Sequence, residues 1–218
     1  MYLSRVEIDV ANRQKTKDLT QLSAFHNWVE QSFPDEINNG KKLRHLWRID
    51  QLQGKKYLLL LSENMPDKRQ LLRYGVHDTV MIKSYDCLLN SIKQGQLLQF
   101  RLTANPTHTV LQPGIKQGRV VPHITVDYQR KWLIERSQKL GFQLGTTTDK
   151  STFDIVSRDW PLLSYRSGRR LRLSRVTFEG RLRVEDADQF KQALIKGIGR
   201  EKAFGMGLMT VIPRINND

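Results

Sequence analysis

The sequence holds a single cysteine, Cys87, so it can close no internal disulfide and assemble no cysteine-based zinc site. That excludes a disulfide-stapled secreted scaffold and fits a reducing compartment. Cys87 is expected as a small buried apolar residue. No apolar run approaches the ~20 residues needed to cross a bilayer. The opening MYLSRVEIDV alternates like a strand and lacks the apolar block of a signal peptide. A cytoplasmic protein with no membrane partner is expected. Acidic residues are also scarce, with 22 Asp and Glu against 36 Lys and Arg, a formal net charge of +14. The excess is spread along the chain and exceeds what solubility requires, which points to a polyanionic partner, nucleic acid first. Nothing groups Asp, Glu and His at recognisable ligand spacing, so neither a metal site nor a cofactor is expected.

The periodicities describe alternating strands and helices. Val6, Ile8 and Val10 alternate with Arg5, Glu7 and Asp9, the pattern of a strand with one buried face. Asp18 opens a stretch in which Leu19, Leu22, Phe25, Val29 and Phe33 recur at helical spacing until Pro34 stops it, and this puts His26 on a helix beside the apolar stripe. Residues 43–49 and 57–61 read as a hairpin turning at Gln53, Gly54 and Lys55. A short helix over 68–74 and apolar segments at 79–83 and 97–102 follow.

From Pro106 to Pro122 the periodicity lapses, and the stretch reads as a connection. Residues 127–140 resume a helical pattern with Trp132, Leu133 and Leu140, ended by Gly141. Residues 171–184 read as extended chain, Asp186 caps a helix carrying Phe190, Leu194 and Ile195, and 208–212 form a last apolar run. This order fits an α+β protein of two tandem ferredoxin-like βαββαβ domains. The expected boundaries are 1–105 for the domain carrying His26, 106–123 for a linker and 124–218 for the second domain. One larger α+β domain is the alternative.

Near the C-terminus, Gly197, Gly199, Gly205 and Gly207 frame a basic insert containing Arg200 and Lys202. Glycine permits left-handed backbone and lets amide groups approach a phosphate closely; equally, such a loop can serve only to turn tightly between helix and strand. A Walker loop is excluded because Met206 follows Gly205, and a dinucleotide fingerprint starting at Gly197 fails where Lys202 stands in place of its third glycine.

The spacing GhGxxxxxGhG, with h apolar, resembles the signature loop of the RAMP superfamily. Further segments are similar to the CasE-type CRISPR RNA endonucleases: the opening Met1-Tyr2-Leu3-Ser4-Arg5-Val6, then Phe100-Arg101-Leu102-Thr103-Ala104-Asn105-Pro106, then Val176-Thr177-Phe178-Glu179-Gly180 ahead of the last helix. The resemblance spans nearly the whole chain. It implies a metal-independent endoribonuclease that recognises a CRISPR repeat stem-loop and cuts at the 3′ side of the stem. Attack by the 2′-OH leaves a 2′,3′-cyclic phosphate, and the product is kept in a complex with other Cascade subunits.

Histidine suits that chemistry, because an unperturbed pKa of ~6.5 lets it give or take a proton near neutrality. In CasE-type enzymes the catalytic histidine rides the first helix, where His26 stands alone, so the resemblance assigns it that role. Some relatives carry a tyrosine one turn earlier, where this chain has Ser23, which leaves the second catalytic group open. His45, His77, His108 and His123 are expected to be structural or solvent-exposed, or at most RNA contacts. A noncatalytic RAMP subunit that binds guide RNA is the alternative function.

Arg166, Arg169, Arg170, Arg172, Arg175, Arg181 and Arg183 make the most arginine-rich stretch of the chain. Alternation with Leu171 and Leu173 places Arg170 and Arg172 on one strand face. The stretch reads either as a solvated face or, with the charge excess and the basic hairpin that the resemblance implies, as an RNA-binding surface. Arg166, Arg169, Arg170, Arg172 and Arg175 are the primary contacts expected, with Arg200 and Lys202 secondary.

Overall fold

The computed structural model describes residues 1–41, 43–111, 118–147, 150–164 and 170–213. The chain divides into two compact units, Met1–Ser91 with Glu201–Leu208, and Ile92–Arg200 with Met209–Asp218.

In the first unit the elements run β1 (Tyr2–Glu7), α1 (Arg13–Thr16), α2 (Leu22–Gln31), α3 (Pro34–Asn38), β2 (Leu46–Leu52), β3 (Lys55–Ser62), α4 (Lys68–Leu71), β4 (Met81–Ser84) and α5 (Asp86–Ser91). The strands pair antiparallel in the order β2-β3-β1-β4, the ferredoxin-like arrangement. Gln53 and Gly54 close the expected hairpin with φ of 51° and 76°, left-handed values that match a two-residue turn to the twist of its strands. Val6, Leu58, Leu60 and Trp47 are fully buried, and Trp28 and Val29 of α2 join them in the core.

Three details depart from the sequence reading. β1 ends at Glu7, so Val10, expected inside, is exposed. Pro34 does not stop α2; that helix ends at Gln31, and Pro34 opens α3 at its first turn, where a missing N–H costs nothing. Cys87 is exposed rather than buried, because the inward positions around α5 are taken by Tyr85 and Leu89.

The second unit contains β5 (Leu97–Ala104), β6 (Thr107–Val110), β7 (Arg119–Pro122), α6 (Val126–Ser137), β8 (Phe142–Gln143), β9 (Thr146–Thr147), β10 (Lys150–Ser151), β11 (Phe153–Asp159), β12 (Leu162–Ser164), β13 (Arg170–Arg172), β14 (Arg175–Val184), α7 (Ala187–Lys196) and β15 (Met209–Pro213). Its main sheet is ordered β11-β14-β5-β15, so β5, α6, β11, β14, α7 and β15 repeat the same βαββαβ connectivity. The tandem ferredoxin-like reading therefore holds, with one shift of boundary. The second unit opens with β5, expected in the first domain, because Leu98, Phe100, Leu102 and Ala104 are buried while β5 pairs with β14 on one side and β15 on the other. The stretch expected as a linker carries the β6–β7 hairpin.

In the second unit the helix ends fall where the sequence placed them, whereas in the first unit α2 opens at Leu22 after Gln21 and not at Asp18. Asp186 accepts hydrogen bonds from the backbone N–H groups of Asp188 and Gln189, and Gly141 ends the turn after α6 at φ 77°. Phe190 and Leu194 of α7 pack inward with Leu133 of α6, Phe142 and Phe178. Among the described residues no helix is long and apolar enough to cross a membrane.

Candidate functional site

Helix α2 owes its seat to an apolar face. Leu22, Trp28 and Val29 are buried, Phe25 stacks on Trp47 at 6.0 Å, and the Trp28 indole donates to the Gln70 carbonyl at 3.1 Å. The Ser32 hydroxyl donates back to the Trp28 carbonyl at 3.0 Å, a local bond that competes with continued helix. This packing leaves His26 at the boundary with solvent, its side chain 37% exposed. Its Nδ1 is nonetheless buried and makes no hydrogen bond among the described residues. Exposure therefore belongs to the rest of the side chain.

One turn on, Glu30 lies on the same helix face, its Oε1 3.8 Å from His26 Nδ1. The same oxygen is 2.9 Å from Nδ1 of His45, whose side chain is 2% exposed. His45 stacks on the Phe33 ring at 3.8 Å and 4°, and its Nε2 lies 3.2 Å from Glu36 Oε2, an ion-pair separation without hydrogen-bond alignment. Asn64 donates to the other oxygen of Glu36 at 2.9 Å. Burial pushes the Glu30 carboxyl up, but the hydrogen bond with His45 and the charges of His45 and His26 together pull it below its ordinary value. His45, expected as structural or exposed, is thus buried between two carboxylates beside the site.

The 3-10 turn Lys202–Phe204 packs against α2 and β2, with the Phe204 ring edge-on to His26 at 6.5 Å. Gly197, Gly199, Gly205 and Gly207 all adopt positive φ. At Gly205 a Cβ would lie 2.6 Å from the Trp47 ring, and at Gly199 it would meet Trp132 at 3.2 Å. Between the two readings left open from sequence, these positions support the tight turn: bare backbone is required by ring packing and left-handed geometry. Lys202 is the basic residue of this turn. Burial and the nearby Arg44 guanidinium hold its ammonium below the ordinary lysine range, so an anion meeting both would relieve their repulsion. Arg44, exposed ahead of β2, was missed from sequence, although the run Lys41, Lys42, Leu43, Arg44 carried the signal.

Of the arginine stretch, Arg166 and Arg169 lie outside the described residues. Arg170 and Arg172 are exposed on β13, which pairs with β12 in a separate two-stranded ladder. The expected alternation holds in part: Leu173 is buried, whereas Leu171 is 36% exposed. Arg175 is engaged otherwise, its guanidinium forking onto the Asp159 carboxylate across the β11–β14 pair. Arg181, Arg183 and Arg200 are exposed. His77 is exposed beside Asp78, and His108 stacks on His123 at 4.4 Å. Among the described residues no group of three or more His, Cys, Asp or Glu could hold a metal ion.

The arrangement offers a half-exposed imidazole backed by carboxylates, with cations around it, which suits proton transfer at a phosphodiester. The family described as "CRISPR associated protein" matches residues 1–213. CRISPR-associated endoribonuclease Cse3 of Thermus thermophilus is 27% identical over 220 residues, covering 98% of this chain and 100% of that protein. CRISPR system Cascade subunit CasE of Escherichia coli is 27% identical over 217 residues, covering 98% and 100%. A solved structure of CRISPR endoribonuclease Cse3 bound to a 19 nt RNA superposes with a TM-score of 0.84 at 27% identity, covering 98% of this chain and 100% of that one.

Proposed function

Because the chain belongs to the CRISPR associated protein family, we propose that it is a CasE-type endoribonuclease that cuts the repeat stem-loop of precursor CRISPR RNA. The observation that carries this reading is coverage: nearly the whole chain matches the whole of an endoribonuclease whose fold accommodates RNA. The enzyme works in the cytoplasm and stays on its product as a subunit of a Cascade-type complex.

RNA supplies its own nucleophile. The 2′-OH attacks the adjacent phosphorus, the 5′ oxygen of the next nucleotide departs, and a 2′,3′-cyclic phosphate remains. Cleavage falls at the 3′ side of the stem. His26 moves a proton in this step from the solvent-facing part of its ring, a contribution typically worth ~10²–10⁴ in rate. Lys202 and Arg44 favour the dianionic charge that develops at phosphorus. Arg170 and Arg172 grip stem phosphates, since A-form RNA buries its base edges in a narrow major groove and is read mainly by shape. These acid–base and electrostatic contributions are proposed to act without a metal ion.

The test is incubation of the purified chain with a type I-E repeat RNA in excess EDTA. A discrete cut, lost in His26→Ala while RNA binding persists, is the expected result. Binding without any cut by the wild-type chain would identify a noncatalytic guide-RNA-binding subunit.

A further inference from the structure

His26 Nδ1 is a buried nitrogen whose nearest charged neighbour is a carboxylate already anchored by a second histidine. Glu30 Oε1 stands 3.8 Å from His26 Nδ1 and 2.9 Å from His45 Nδ1, so both rings aim the same atom at the same oxygen. His45 is itself immobilised, stacked on Phe33 and set 3.2 Å from Glu36. Glu36 is buried and held by Asn64. The line runs from His26 and Glu30 at the solvent boundary to buried His45 and Glu36, and returns to the surface at Asn64. A carboxylate needed only for surface solvation would require no such support.

We propose that Glu30 is a positioning residue for the cleavage: steadied by His45, it receives Nδ1–H of His26 and thereby leaves Nε2 as the nitrogen presented to the scissile phosphodiester. This rests on the endoribonuclease reading above. The logic is that of any imidazole whose working nitrogen is set by the hydrogen bond on its other nitrogen. A separation of 3.8 Å is too long for that bond in the free protein. Catalytic hydrogen bonds commonly tighten only once substrate is bound, so the gap is expected to close in the RNA complex. Bound RNA adds a reason to close: with Nε2 turned to the scissile phosphodiester, the Glu30 carboxylate is the acceptor left for Nδ1–H.

The other charged groups on elements packed against α2 are Asp35 and Glu36 of α3, Lys68 and Arg69 of α4, and Glu201 and Lys202 of the 3-10 turn, with Arg44 beside His45. Those acting on the Glu30 carboxylate are His45 and His26.

The experiment uses the full chain and a repeat hairpin. Glu30→Ala, Glu30→Gln and Glu30→Asp are compared with wild type for RNA affinity and single-turnover cleavage. The ¹⁵N resonances of the His26 ring are then read in complex with a hairpin made uncleavable by a 2′-deoxy nucleotide at the cut. Affinity stays within about 2-fold, because no phosphate contact is removed, while cleavage by Glu30→Ala falls ~10-fold or more, part of the gain available from a positioned acid–base group. Glu30→Asp restores part of the rate. In the wild-type complex Nδ1 carries the proton, and in Glu30→Ala the ring becomes a tautomer mixture. If Glu30→Ala fails to fold, Glu30→Gln, which keeps the shape against His45, carries the same readouts.

Wild-type cleavage and an unchanged tautomer in the variants would overturn the proposal. A wild-type chain that leaves the hairpin whole would instead overturn the endoribonuclease reading, a result visible without any Glu30 variant.

Discussion

Arg48 on β2 donates through its Nη1 to the backbone carbonyl of Leu208 at 2.9 Å, joining residues 160 positions apart. The guanidinium is 2% exposed and also forks onto the Asp50 carboxylate, at 2.7 and 2.8 Å. A buried cation persists only when paired and hydrogen-bonded, and here the pairing pins the end of the glycine-rich loop to the strand that underlies α2. Arg48→Ala is expected to destabilise the protein by about 3–5 kcal/mol, because it removes the buried cation that both Asp50 and the Leu208 carbonyl bond. A urea midpoint equal to that of the wild type would show that the pairing contributes nothing.

Gly205 is the second anchor of that loop. Its φ of 76° is left-handed, and a Cβ there would lie 2.6 Å from the Trp47 ring. Gly205→Ala combines left-handed strain of roughly 1–2 kcal/mol with overpacking of about 1–3 kcal/mol. A lowered melting temperature with the fold retained is the outcome that thermal unfolding followed by circular dichroism should give.

Much of this architecture was legible in the sequence, because period-two and helical patterns report burial directly. The Val6 and Ile8 alternation, the Gln53-Gly54 turn, the Asp186 cap and the Gly141 stop all appear where local chemistry demanded them. The domain boundary was not legible. β5 carries no mark of which sheet it joins, since its pairing partners, β14 and β15, lie far along the chain. The site was half legible for the same reason. His26 stood out as a residue type on a helix, whereas the Glu30, His45 and Glu36 line depends on the packing of Phe33 against His45, which no spacing rule encodes.

That line has a consequence for acid stability. Burial raises the Glu30 pKa, but the bond with His45 and the charges of His45 and His26 leave it net below its ordinary 4.5. A carboxyl whose folded pKa is depressed stabilises the native state fully above its unfolded value, and the contribution disappears as pH falls through the folded value. Its side chain is 39% exposed, so solvent screens part of the effect. Wild type should therefore lose stability relative to Glu30→Gln as pH is lowered from neutrality to about 3, and urea midpoints of the two proteins should converge. A gap between them that stays constant over this range would place the Glu30 stabilisation outside its charge.

Salt dependence would separate the arginines proposed to grip RNA from those that build the fold. Arg170 and Arg172 are exposed on β13, whereas Arg175 spends its fork on Asp159. Each phosphate neutralised releases counterions, so affinity falls with salt in proportion to the number of contacts. Replacing Arg170 and Arg172 by alanine should weaken binding to the repeat hairpin and make the plot of log affinity against log salt shallower by about 1–2 units. Arg175→Ala should leave that slope unchanged and lower the melting temperature instead, because it strands Asp159 at the β11–β14 pair. A slope altered by Arg175→Ala but not by the β13 double variant would move the RNA contact from the hairpin to the sheet.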